Sequence, residues 1–293
     1  MTEANAVFVP RGDAMLPTPL AASAWGPDVL HGGPVAALIA RAAERALPDD
    51  SAAERALPDD VHTEGEMQAS RLTVDLFRAV PRAPLHTDVE LIRKGRRVIV
   101  ARVSVLHDGL EVTRGQVLFL RRTEGPTTRT EAAPPGPDGL ETFEGLSRGA
   151  PLPPGRHGGY HTLVETRWPA PDQLAGTPLE AQPPGSLVWV RVPFPIVEDE
   201  EPTPFQRLAA VSDFGNALAN YAADWHDPDQ RKIASYINAD ISMHLLRPPE
   251  GEWLALVADR STHLDGVGLV EVSHFDHRGH YARSAQARLA NDR

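Results

Sequence analysis

Side chains of the types that perform nucleophilic catalysis give weak signals in this sequence. The run Gly145-Leu146-Ser147-Arg148-Gly149 has the GxSxG spacing of a serine nucleophile. Such a serine needs a strand before it and a helix after it, and here it lies in a stretch dense in Pro and Gly. The sequence has no cysteine, which excludes cysteine nucleophiles, thiolate zinc sites and disulfides. We therefore do not interpret Ser147 as a nucleophile.

A cluster of possible metal ligands occurs near the C-terminus. His274, Asp276, His277 and His280 are of ligand type, but they straddle the turn signal Arg278-Gly279. A polar hairpin tip is the simpler explanation of this arrangement. We therefore predict no metal site.

Two other positions, each at the start of an apolar run, carry residues that are suited to acid–base chemistry. His31-Gly32-Gly33-Pro34 precedes Val35–Leu47, and Ser212-Asp213-Phe214-Gly215 precedes Asn216–Trp225. Gly, Pro, Ser and Asp are typical of helix starts, where backbone N–H groups and the helix dipole favour a negative charge. Asp213 at such a start is either an N-cap or a general base that accepts a proton from water.

Composition limits the remaining classes of function. The 293-residue chain carries 29 Lys and Arg against 40 Asp and Glu, a net charge of −11, which argues against a nucleic-acid partner. No apolar run approaches the ~20 residues of a membrane span, and Met1–Pro10 lacks the pattern of a signal peptide. We expect a cytoplasmic protein.

Each predicted helix is followed by runs typical of antiparallel strands. An additional strand is expected before each helix, at Ala4–Val9 and Ser186–Val192. Gly109 and Gln116 have the same spacing as Gly279 and Gln286, so the chain resembles an internal duplication. The strand-like runs are Arg71–Phe77, Leu85–Arg93, Val98–Leu106 and Glu111–Leu120 in the first half, and Ile237–Leu246, Trp253–Arg260, Gly268–Phe275 and Tyr281–Leu289 in the second.

A Pro- and Gly-rich segment divides the two halves. We predict an N-terminal unit at 1–123, a linker at 124–159 and a C-terminal unit at 160–293. The segment Ala42–Asp50 recurs verbatim at Ala52–Asp60, an insertion that a surface loop after the first helix would tolerate. Each unit buries a helix against an antiparallel sheet, and the two sheets are expected to join side by side.

The order of short motifs in the two halves resembles the type II acyl-CoA thioesterases. The motifs are Trp25, His31-Gly32-Gly33, Leu76-Phe77-Arg78 and Arg93-Lys94-Gly95-Arg96 in the first half, and Ser212-Asp213-Phe214, Leu246-Arg247-Pro248, Glu252-Trp253-Leu254 and Ala282-Arg283-Ser284-Ala285-Gln286 in the second. The resemblance implies an α+β double hotdog fold, two tandem units in which an antiparallel sheet wraps around one long helix.

The resemblance also implies a catalytic group. The family uses an Asp at the start of the second helix, a Thr or Ser on the next strand and a Gln on the last strand. These positions fall on Asp213, Asn238 and Gln286. Asn238 departs from the family's hydroxyl, although its amide can both donate and accept hydrogen bonds.

Further candidates for binding the substrate and its oxyanion are Gly33, Gly215 and His31, because a glycine-led helix start supplies backbone N–H donors. Gln116, the counterpart of Gln286, is expected to be an ordinary strand residue because His31, not Asp, opens the first helix. The sequence thus predicts one site per chain, built mainly from the second half.

The predicted function is hydrolysis of an acyl-CoA, or another acyl thioester, without a metal or redox cofactor; coenzyme A is part of the substrate. One alternative is a hotdog-fold enoyl-CoA hydratase, whose Asp-x-Asn-Pro-x-His motif is incomplete at Asp213–Leu218. The other is a non-catalytic acyl-CoA-binding module, which Asn238 keeps open. By resemblance we expect a homodimer or higher homo-oligomer.

Overall fold

The computed structural model of the chain describes residues 4–48, 65–125, 158–167, 187–218 and 235–291. Its helices are α1 (Gly32–Arg45), α2 (Tyr160–Leu163) and α3 (Pro204–Val211), with a short 3-10 turn at Pro19–Ala21. After α3 the chain turns at 212–213 and is helical again over 214–218. None of the helices in these ranges is long and apolar enough to cross a membrane.

Fifteen strands lie within the described ranges. They are β1 (Phe8–Arg11), β2 (Ala14–Pro17), β3 (Ala22–Ser23), β4 (Gly26–Leu30), β5 (Met67–Asp75), β6 (His86–Lys94), β7 (Val98–His107), β8 (Leu110–Arg121), β9 (Glu165–Arg167), β10 (Leu187–Arg191), β11 (Ser235–Asn238), β12 (Asp240–Leu245), β13 (Leu254–Leu264), β14 (Val267–Asp276) and β15 (Gly279–Asn291).

Eleven of these strands form one antiparallel sheet. Its order is β6-β7-β8-β5-β12-β15-β14-β13-β10-β9, and β11 pairs with β15 beside this path. The halves of the chain meet where β5 pairs with β12, in a register that places Val74 opposite Ile241. Outward from that pair, the order β5-β8-β7-β6 repeats as β12-β15-β14-β13. The predicted joining of the two sheets into one is therefore observed.

The residues of the tight turns and the alternation of buried and exposed side chains account for the strands. Asp108 and Gly109 both have positive φ, 49° and 75°, as the two-residue hairpin between β7 and β8 requires, and Asp-Gly is a preferred pair for that turn. In β7 the alternate residues Ile99, Ala101 and Val103 are buried, so one face of the strand lies in the core.

Helix α1 packs on the sheet closely enough to require a glycine. From Val35 to Ala43 the helix is buried. On β8, a Cβ added at Gly115 would lie 2.7 Å from Ile39 Cγ2 and 2.8 Å from the Thr73 carbonyl oxygen. The sheet can therefore approach α1 only because residue 115 has no side chain.

Helices α1 and α3 lie against each other in opposite directions, one from each half of the chain. Near the end of α1, the Arg41 guanidinium binds the Glu200 carboxylate through two hydrogen bonds, one of 2.6 Å. Near its start, a Cβ on Gly33 would lie 2.2 Å from the Ala210 carbonyl oxygen. Contacts at both ends thus fix the register of the two helices.

Three details differ from the sequence-based expectations. The run Ile237–Leu246 is two strands, because the chain bends at Ala239 and β12 leaves to pair with β5. Helix α3 precedes the predicted start at Ser212 and was missed. The N-terminal strand begins at Phe8, later than the predicted Ala4.

Several predictions concern residues outside the described ranges. These are the linker over 126–157 with its GxSxG run, the second copy of the repeated nonapeptide and the helix beyond residue 218.

We predict that Gly115→Ala lowers the free energy of unfolding by about 1–3 kcal/mol, the usual cost of overpacking a core, because the new methyl group meets Ile39 and the Thr73 backbone. Chemical denaturation measures the change. Gly125→Ala is the matched control, since its Cβ would have nothing within 4 Å. Equal stability of the two variants would show that α1 does not pack on β8 this closely.

Candidate active site

Asp213 lies in the turn that follows α3, with its carboxylate at the start of α1 from the other half. Residue 213 is 8% exposed, and its Oδ2 accepts the backbone N–H of Gly32 at 3.0 Å. A Cβ on Gly32 would lie 2.8 Å from the Asp213 Cγ, so the carboxylate reaches this N–H only because residue 32 is a glycine. The α1 dipole favours the negative charge at this end of the helix.

His31, the N-cap of α1, lies against the same carboxylate. Its Nδ1 is 3.0 Å from Asp213 Oδ2 and 3.1 Å from the Gly33 nitrogen. An unprotonated Nδ1 accepts the Gly33 N–H and caps the helix, whereas a protonated Nδ1 donates to Asp213. The site therefore combines residues from both halves of the chain.

Asn238, the last residue of β11, completes the set of donors around Asp213. Its side-chain amide donates to Oδ1 of the carboxylate. The strand break at Ala239 follows directly, so Asn238 stands at a strand end beside the turn that carries Asp213. The sequence placed these two residues in one site, and they are in contact.

The donors keep Asp213 ionised. Burial raises the pKa of its carboxyl group, but His31, the Asn238 amide and the Gly32 N–H together outweigh burial, so the pKa is lowered below the ordinary aspartate value. The carboxylate is therefore present as an anion at neutral pH. Among the described contacts, Oδ1 has a single partner, which leaves it able to accept a further hydrogen bond.

Gln286, on β15, lies beside the same turn. Its Nε2 donates to the Ser212 carbonyl oxygen at 2.6 Å, while its Oε1 is buried with no hydrogen-bond partner. Leaving such a group unsatisfied costs about 1–3 kcal/mol. A Cβ on Gly215 would lie 3.4 Å from the Gln286 amide. Asp213, Asn238 and Gln286 thus lie around one turn, and one of their oxygen atoms lacks a partner.

The candidate oxyanion donors differ in the hydrogen bonds and contacts that they already make within the protein. The Gly33 N–H is taken by His31 when Nδ1 is unprotonated, and the Gly32 N–H, which the sequence analysis did not consider, is taken by Asp213. Gly215 is packed between Gln286 and Val272. Its role as an oxyanion donor remains a prediction.

Sequence reasoning missed two residues of the site, Tyr160 and His161 of α2. The Tyr160 ring centroid is 5.3 Å from that of His31, and the His161 ring stacks on His31 with centroids 6.1 Å apart. The Tyr160 hydroxyl and both His161 ring nitrogens are buried without partners. Burial raises the pKa of Tyr160, and the Asp213 charge raises it further. The predicted linker ends at residue 159, and no spacing signal connects the next two residues to His31.

Other candidate residues have structural partners elsewhere. Gln116 Oε1 accepts a 2.6 Å hydrogen bond from Arg71.

Among the possible metal ligands near the C-terminus, the His274 Nε2 lies 2.8 Å from the Ser284 hydroxyl, and Asp276 accepts hydrogen bonds from the Arg247 guanidinium. Within the ranges that the structure describes, no three His, Asp or Glu side chains converge as metal ligands.

Three solved structures share this architecture. One is a protein with a hot dog fold from Alicyclobacillus acidocaldarius, with a TM-score of 0.65, 17% identity and coverage of 97% of this chain and 95% of that chain. A candidate thioesterase from Novosphingobium aromaticivorans gives a TM-score of 0.63 and 21% identity, covering 97% and 98%. An acyl-CoA thioesterase II from Mycobacterium marinum gives 0.56 and 19%, covering 89% and 88%. These likenesses establish the hotdog fold.

Family comparison extends the result from the fold to the family. No curated protein matches the sequence significantly. Residues 21–120, however, match the acyl-CoA thioesterase N-terminal domain, and residues 131–290 match the acyl-CoA thioesterase C-terminal domain. Together the two matches include every element from α1 to β15 except the last residue of β8 and the last residue of β15, and with them each residue of the site described above. The chain belongs to the acyl-CoA thioesterase family.

Proposed function

We propose that the protein hydrolyses an acyl-CoA to a free acid and coenzyme A with a water molecule that Asp213, Asn238 and Gln286 hold. The observation that carries the proposal is the buried Asp213 carboxylate at the start of α1, next to the Ser212 carbonyl that binds Gln286, whose amide oxygen has no partner. Hydrolysis needs a base next to an oriented water, and these two groups supply a proton acceptor and a hydrogen-bond acceptor for one.

The reaction assigns a separate role to each group. Asp213 accepts a proton as the water oxygen bonds to the thioester carbon, and the carbonyl electron pair moves to its oxygen. When the tetrahedral intermediate collapses, the C–S bond breaks and the thiolate takes that proton from Asp213. Asn238 fixes the carboxylate through Oδ1. Gln286 is tied to the Ser212 carbonyl by its amide nitrogen and orients the water with its oxygen. Positioning of this kind contributes several kcal/mol to lowering the barrier.

We infer that the two halves are tandem hotdog units and that their junction is the active site. The repeat of the strand order on either side of the β5–β12 pair supports this inference. The contact of His31 with Asp213 supports it as well, because these residues open the matching helices of the two halves. The acyl group would lie between helix and sheet, with coenzyme A at the surface.

Asp213→Asn and Gln286→Ala are expected to lower kcat by about 10²-fold or more, the scale of a lost base or positioning group. Thiol release from acyl-CoAs with short, long, straight and aromatic acyl groups measures the rates. Gln116→Ala is the matched control, since it removes the same side chain at the equivalent position of the first unit, where Gln116 binds Arg71.

The outcomes separate the three classes of function. Full activity of Asp213→Asn would contradict the mechanism. Binding of acyl-CoA by the folded wild-type protein without thiol release would favour a binding module, and addition of water to an enoyl-CoA would favour a hydratase.

The pH dependence of kcat/KM tests the role of Asn238. Because the pKa of Asp213 is lowered in the wild type, the carboxylate remains ionised through weakly acidic pH, and protonation of Asp213 stops activity only below the usual aspartate range. Asn238→Ala removes a donor that favours the ionised form, so the pKa of Asp213 rises and the acidic limb moves to higher pH. Asn238→Ser, which keeps a hydroxyl donor, is expected to shift the limb less. An unchanged acidic limb in Asn238→Ala would contradict this assignment.

A further inference from the structure

His161 is a buried histidine whose two ring nitrogens have no hydrogen-bond partner. The residue is 8% exposed. Buried polar groups without a protein partner are few in folded proteins, and a catalytic role is one of the reasons for keeping one. The position of His161, stacked on His31 beside Asp213, points to the substrate as its partner.

The main chain holds His161 rigidly in this position. A Cβ on Gly159 would lie 2.3 Å from the Ala22 carbonyl oxygen, so α2 begins in direct contact with β3. The Thr162 hydroxyl contacts both the N–H and the carbonyl of Gly159, at 3.1 and 2.8 Å. The strand β9 follows and pairs with β10. This anchoring on both sides fixes the backbone that carries the imidazole.

The imidazole is neutral, which decides what it can do. Burial and the neighbouring His31 lower the pKa of His161 to about 4, against an opposing effect of Asp213. At neutral pH the ring therefore carries one N–H and no charge. A neutral N–H in a water-poor site is suited to hydrogen bonding a developing oxyanion.

We propose that His161 is a further catalytic residue of the thioester hydrolysis, donating its ring N–H to the carbonyl oxygen of the substrate. The proposal rests on the function proposed above. The oxygen gains negative charge as water attacks and loses it when the C–S bond breaks, so the hydrogen bond is strongest in the transition state. His161 transfers no proton. Asp213 still carries the proton from the water to the thiolate.

Two substitutions distinguish a donor from a structural ring. His161→Phe keeps a flat ring that can stack on His31 but has no N–H, and it should lower kcat by about 10²–10³-fold, as loss of one oxyanion donor does. His161→Gln keeps an N–H donor and should remain within about 10-fold of the wild type. The affinity for a non-hydrolysable acyl-CoA thioether should be little changed in both variants.

Thermal stability provides a second readout that is independent of activity. The unfolded chain protonates His161 near pH 6.5, whereas the folded chain does so only near pH 4, so this residue lowers wild-type stability as the pH falls between these values. His161→Phe removes that effect together with the unsatisfied nitrogens. Its Tm should therefore match or exceed that of the wild type, with the larger gain at pH 5 than at pH 8.

The results separate failure of this proposal from failure of the proposed function. Wild-type activity that Asp213→Asn abolishes and His161→Phe leaves intact would overturn the role of His161 alone. Equal losses of kcat in His161→Phe and His161→Gln would also overturn it, since the shape of the imidazole and not its N–H donor would then determine the rate. A wild-type protein without thioesterase activity on the whole acyl-CoA panel would overturn both.

Discussion

The hydrogen bond from the Gly32 N–H to the Asp213 carboxylate is the contact on which the site depends. It joins the start of a helix in one half of the chain to a turn in the other, in a space that only a glycine leaves open. The Arg41–Glu200 pair near the opposite end of α1 holds the same two segments in register. A shift of α1 along α3 by one turn, about 5.4 Å, would remove the donor from the carboxylate. The packing of α1 against α3 and the hydrogen bond to Asp213 therefore depend on the same register of the two helices.

Hydrogen-bond partners are distributed unevenly in the site: the Asp213 carboxylate has several, whereas other buried polar atoms have none. Three donors or ring nitrogens surround Asp213, whereas the Gln286 oxygen, the Tyr160 hydroxyl and the His161 nitrogens are buried without partners. The first group keeps a base ionised where burial alone would neutralise it. The second group costs stability in the free protein, and this cost is consistent with a site that is satisfied only when water and a carbonyl group are bound.

Local sequence patterns predicted much of the fold because the determinants are local. The Asp108-Gly109 turn and the alternation along β7 require only neighbouring residues to be identified, and the helix beginning at Gly32 follows from its glycine and proline signals. Asp213, Asn238 and Gln286 were located through a family resemblance, and the structure places them around one turn. The Gly32 donor and His161 were not predictable from spacing. Each acts across a tertiary contact, and residue 161 reaches His31 only because Gly159 packs on Ala22.

The two halves of the sheet share a strand order, but they differ in the residues that precede their helices. His31 and Asp213 occupy matching helix starts, and these starts meet with 3.0 Å between the two side chains. Two aspartates there would repel each other, and two histidines would leave no base that stays anionic at neutral pH. The junction therefore needs different residues on its two sides. Gln116 in the first half accepts a hydrogen bond from Arg71, whereas Gln286 in the second donates to the Ser212 carbonyl. Divergence at one residue pair is sufficient to make the halves of a symmetric sheet chemically unequal.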